Sequence, residues 1–68
     1  MINNYILIDN GYISYYINKK EIQYMKYANG VLYIKLYAND ELEQIQLERD
    51  MFERLIDDLF QNGIKLKI

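Results

Sequence analysis

The apolar positions change period along the chain. From Met51 onward they follow a helix: Met51, Phe52, Leu55, Ile56, Leu59 and Phe60 recur at the four-residue spacing of one helical face. Asp50, Glu53, Arg54, Asp57 and Asp58 fall largely on the other side. Glu48 takes the N-cap position, where it is a mediocre cap, and Asp50 in the first turn favours the helix dipole. Gly63 suits the C′ position, with Ile64 placed for the hydrophobic contact of a Schellman ending. Ile64, Leu66 and Ile68 then alternate with Lys65 and Lys67, which predicts a short last strand.

Upstream, apolar runs are punctuated by turn signals. Asn10-Gly11 and Asn29-Gly30 each suit a two-residue type I′ turn, because both central positions need φ > 0. Two hairpins follow, 5–8 with 12–17 and 22–27 with 31–37, joined by the polar stretch 18–21. A turn at Asn39-Asp40 leads to a strand at about 42–47. The expected fold is α+β, one domain over 1–68: an antiparallel sheet of about five strands, one amphipathic helix on one face and a short C-terminal strand.

Two-residue turns set register, and register sets faces. Around Asn29-Gly30, Tyr27 pairs with Leu32, Met25 with Ile34 and Gln23 with Leu36; the other face pairs Lys26 with Tyr33, Tyr24 with Lys35 and Ile22 with Tyr37. Around Asn10-Gly11, Ile8 pairs with Ile13 and Ile6 with Tyr15, while Tyr5 with Tyr16 and Leu7 with Ser14 lie opposite. Ile6, Ile8, Ile13, Ile17, Met25, Ile34, Leu36, Ile45 and Leu47 then form the seat for the helix. Tyr5, Tyr12, Tyr16, Tyr24, Tyr33 and Tyr37 gather on the far face with Lys26 and Lys35, and no second helix is present to cover them. A five-strand face of this kind spans on the order of 500 Å², the range in which an exposed apolar patch marks an interaction surface. A solvated tyrosine face is the competing reading, since Tyr has high strand propensity and tolerates water.

Composition narrows the chemistry. Ile, Asn, Lys and Tyr number 11, 7, 6 and 8, and all have AT-rich codons, so the tyrosine count alone argues nothing; its placement does. There is no histidine, cysteine, tryptophan or proline among the 68 residues. That removes disulfides and Cys or His metal sites as staples for so small a core and leaves self-association. Ser14 is the one serine and lies on a strand, so no nucleophile or neutral-pH proton shuttle is available. The acids of the helix read as a solvated face with Arg49 and Arg54 as partners, and Asp9-Asn10-Gly11 lacks the calcium-loop pattern. No catalytic residue, metal or cofactor is expected, and the protein is read as a non-enzymatic binder.

Charge is segregated. Residues 1–39 carry a net +2, residues 40–58 a net −6, and the whole chain −2. The acidic total argues against a nucleic-acid polymer as partner, while the local lysines suit a small anion. No apolar run reaches the roughly 20 residues of a membrane helix and no signal-peptide pattern is present, so no membrane partner is expected and cytoplasmic residence is.

In size, low-GC composition, lone amphipathic helix and uncovered tyrosine face, the chain resembles small phage-encoded anti-defence proteins, such as anti-CRISPR proteins and the sponges that sequester cyclic-nucleotide signals. The resemblance implies a counter-defence role in the host-cell cytosol. The expected function is a homo-oligomer, a dimer or larger, that sequesters a small anionic ligand such as a cyclic nucleotide. The site, or subunit interface, would comprise Tyr24, Lys26, Tyr33, Lys35 and Tyr37 with Tyr5, Tyr12 and Tyr16. The alternatives are an inhibitor that binds a host defence protein, using the acidic helix face as a mimic of phosphate charge, and a structural or assembly module.

Overall fold

The computed structural model describes residues 4–67. It contains β1 (Tyr5–Asp9), β2 (Ser14–Asn18), a 3-10 turn (Lys19–Glu21), β3 (Ile22–Ala28), β4 (Val31–Leu36), β5 (Glu43–Gln46), α1 (Arg49–Gln61) and β6 (Leu66–Lys67). The class is α+β. The strands divide between two sheets: β1 with β2, and a second of order β5-β4-β3-β6. Pairing is antiparallel except between β3 and β6, which run parallel. The single sheet expected from the hairpin pattern is therefore two. The break lies at the 3-10 turn, where the Asn18 side chain accepts the Lys20 N–H at 3.0 Å and turns the chain between β2 and β3. Ile68, expected in the last strand, lies outside the described residues.

The second hairpin follows its turn chemistry. Asn29 and Gly30 both take positive φ, 53° and 76°, and the register Tyr27↔Leu32, Lys26↔Tyr33, Met25↔Ile34 and Tyr24↔Lys35 follows from that turn. An irregularity between Ile22 and Tyr24 then shifts the ladder, so Ile22 meets Leu36 instead of Tyr37. Ile22 thereby turns into the core, where it is buried.

The first hairpin departs from expectation. Asn10 does not take positive φ; its side chain instead accepts the N–H groups of Tyr12 and Ile13 at 2.9 and 2.8 Å. Asp9 accepts from Gly11 N–H at 2.8 Å and from the Ser14 hydroxyl at 3.1 Å. These side-chain bonds close a four-residue loop in place of the two-residue turn. The register becomes Ile8↔Tyr15, Ile6↔Ile17, Leu7↔Tyr16 and Tyr5↔Asn18. That is a shift of two residues, so faces keep their parity, but Ile13 leaves the expected core and is 54% exposed.

Ile6 and Ile8 from β1, Ile22, Met25, Leu32, Ile34 and Ile45 from the larger sheet, Leu47, Leu59 from α1, and Ile64 make one buried cluster. The register places Met25, Leu32, Ile34, Ile45 and Leu66 on the same face of the four-stranded sheet. The helix and the β1–β2 hairpin cover that face together, with Met51, Phe52, Leu55, Tyr15 and Ile17 packed against the cluster. The helix ends as a Schellman motif: Ile64 N–H donates to Leu59 C=O at 3.0 Å and Gly63 N–H to Phe60 C=O at 3.1 Å, with Gly63 at φ 74°. Glu48 occupies the N-cap position without a side-chain cap bond. Of the apolar helix positions, Phe60 misses the core and is 62% exposed.

Candidate functional site: the outer face of the four-stranded sheet

With helix and hairpin on one side, the other side of the four-stranded sheet stays open. Register builds this face row by row. One row runs Lys67, Lys26, Tyr33, Gln44 across β6, β3, β4 and β5. Beside it lie Tyr24 opposite Lys35, and Val31 opposite Gln46. No carboxylate occurs among these facing positions, in a chain that is acidic overall.

The row places Lys26 directly beside Lys67 in a parallel pair. Like charges set opposite one another across strands destabilise a sheet. The structure relieves part of this by swinging the Lys67 ammonium over the Tyr24 ring, 4.1 Å from its centroid. Lys35 donates from Nζ to the Leu36 carbonyl at 2.6 Å. The one ion pair among the described residues joins Arg49 to Glu53 at 3.3 Å, so among the described residues no acid pairs with these three lysines. Tyr24, Tyr33 and Lys35 are half-buried and Lys26 is exposed, so two aromatic faces and three cations line a shallow polar surface.

Five of the expected site residues thus part from three. Tyr24, Lys26, Tyr33 and Lys35 share the outer sheet face, and Tyr37, 68% exposed, follows one residue past the end of β4, where its N–H donates to the Glu21 carbonyl. Tyr5 and Tyr16 lie on the outer face of the β1–β2 hairpin, in the opposite layer, and Tyr12 projects from the hairpin loop. A single tyrosine face requires both hairpins in one sheet, and the structure puts them in two. Lys67 was missed, because the period-2 pattern of the tail says nothing about which strand it pairs with.

The separated tyrosines make a second surface. Tyr5, Leu7, Tyr12, Ile13 and Tyr16 are 52%, 45%, 94%, 54% and 71% exposed, and all belong to the first hairpin. Among the described residues no helix is long and apolar enough to cross a membrane, and no group of three or more acids converges as a metal site. The chain matches no family model, no curated protein and no solved structure.

Proposed function

We propose that this is a non-enzymatic binding protein that captures a small anionic ligand, of the nucleotide class, on the outer face of its four-stranded sheet. The observation that carries the reading is the Lys26–Lys67 pair with Lys35 nearby and no acid among them. An anion bridging these ammonium groups offsets their repulsion, and the tyrosines beside them offer rings on which a base can stack. Lys67 is already held over Tyr24, so a base stacking there displaces it toward the phosphate. The resemblance to phage-encoded sponges supports a cyclic nucleotide signal as the ligand and counter-defence in the host cytosol as the setting.

Self-association belongs to the first hairpin in this reading. Its outer face carries exposed Tyr5, Leu7 and Tyr16, its loop adds exposed Tyr12 and Ile13, and both lie away from the lysines of the sheet face. A dimer or larger assembly through that face leaves the sheet face of each subunit open.

Calorimetry of the intact protein against inorganic phosphate, mononucleotides and cyclic dinucleotides tests the reading. Saturable, salt-sensitive binding of at least one nucleotide is expected; no heat and no thermal stabilisation with any member of the series overturns it.

The inhibitor reading retains one supporting observation. Asp50, Glu53, Asp57 and Asp58 are all exposed on the helix. A basic host protein bound through them would be released by salt.

A further inference from the structure

The two sheets do not close on one another. A cleft of about 340 Å³ opens where β2 passes β5. It is lined by the consecutive residues 15–18 of β2 and 43–45 of β5, with Ile34 and Leu36 of β4 below them. Successive residues of a strand point to opposite faces, so a run of consecutive residues lines a cavity only where the strand presents its edge. Each of these strands has such an edge: among the described residues β2 pairs with β1 alone, and β5 with β4 alone. Every second residue along each edge directs its N–H and C=O away from the existing partner. The cleft is therefore walled on both sides by strand edges and floored by core side chains. Its volume lies in the range of small-ligand sites.

Its charge is one-sided. Glu21 and Glu43 are the charged residues of the lining, and no lysine or arginine joins them. Both are exposed. Tyr5 and Tyr16 add aromatic walls with polar tips.

We propose that this cleft binds an extended peptide segment carrying a basic side chain, which adds as a strand to the edge of β2, of β5 or of both. Backbone bonds to the edges supply affinity, as in other strand-addition complexes, and Glu21 and Glu43 select lysine or arginine. The site is separate from the anion-binding face, with the opposite charge, other residues and another ligand class, and it adjoins the hairpin face assigned to self-association, with which it shares Tyr5 and Tyr16.

The test uses the full chain and an end-capped peptide of alternating lysine and valine, about seven residues long, the length of an ordinary strand. Two control peptides replace lysine by glutamate, or carry N-methyl groups on every second peptide nitrogen. The lysine peptide is expected to shift the amide NMR signals of residues 15–18 and 43–46. Both controls are expected to lose binding at least about tenfold, and so is the Glu21→Gln/Glu43→Gln double variant, a loss of about 1.4 kcal/mol. Both glutamates are exposed, so the variant keeps the fold. Absence of saturable binding overturns the proposal, as does equal binding of the N-methylated peptide. Shifts confined to the Lys26 face overturn it as well. If the same amides instead shift with protein concentration alone, and the peptide does not reverse this, the cleft is filled by a second copy of the chain and the proposal fails.

Discussion

The ring of Tyr27 lies flat on that of Phe52, centroids 4.1 Å apart and planes 5° from parallel. The pair ties β3 to the first turn of α1, and the Tyr27 hydroxyl donates to the Leu47 carbonyl at 2.7 Å just before the helix begins. Hydroxyl and ring make separable contributions. Tyr27→Phe is expected to cost about 1 kcal/mol, one hydrogen bond, and to keep the stack. Phe52→Ala removes the stack and half-buried area, at about 2–4 kcal/mol. Urea unfolding of the two variants measures the difference, and equal losses would mean that the ring contact contributes nothing.

Burial divides the helix. Leu59 is fully buried, so Leu59→Ala should cost about 2–5 kcal/mol. Asp57 is exposed, and Asp57→Ala should stay within about 0.5 kcal/mol. A large effect of Asp57→Ala on urea unfolding would place the acidic face in a subunit contact.

Gly63 tests the helix ending without any steric clash. A methyl group there meets nothing within 4 Å, so the cost of Gly63→Ala is that of the φ of 74° alone. About 1–2 kcal/mol is expected, with Gly63→Asn milder, because Asn tolerates the left-handed region. Thermal unfolding that leaves the two variants indistinguishable would remove the argument from φ.

On the sheet face, charge and stacking should fail differently. Lys26→Ala and Lys67→Ala are expected to weaken nucleotide binding and flatten its salt dependence. Tyr33→Ala should remove about 1–3 kcal/mol of binding and leave the salt dependence nearly unchanged. Calorimetry at two salt concentrations separates the two classes. A nucleotide bound equally by all three variants sits elsewhere, near Lys19 and Lys20 in the first instance.

Self-association should respond to the hairpin and not to the sheet. Tyr16→Glu and Leu7→Glu place a charge on the exposed outer face and should shift the assembly toward monomer. Tyr33→Glu should leave the mass unchanged. Light scattering reads all three, and an assembly disrupted by Tyr33→Glu alone would move the subunit interface to the sheet face.

The two Asn-Gly pairs explain how much of this was legible. At Asn29-Gly30 the flanking side chains have nothing better to do than pair across strands, so the turn follows its intrinsic preference. At Asn10-Gly11 the Asn10 side chain accepts two loop N–H groups and Asp9 accepts from Gly11 N–H and the Ser14 hydroxyl, and this side-chain capping overrides the two-residue turn. The helix, its glycine ending and the residues Lys26, Lys35, Tyr24 and Tyr33 follow from local rules: a period, a cap and a register. The division into two sheets does not, because it depends on how the 3-10 turn redirects the chain from β2 into β3. The pairing of Lys67 with Lys26 does not either, since about forty residues separate them and only the packed core brings them together.

The separation of charge across the sheet has a consequence for kinetics. The helix, with its exposed acids, covers one side of the four-stranded sheet, and the lysines occupy the other. The molecule is therefore an electric dipole despite its modest net charge of −2. An approaching anion is repelled from the helix side and drawn to the sheet side, so encounter is oriented before contact. Salt beyond about 0.15 M, where the Debye length falls below about 8 Å, would blunt this orienting effect.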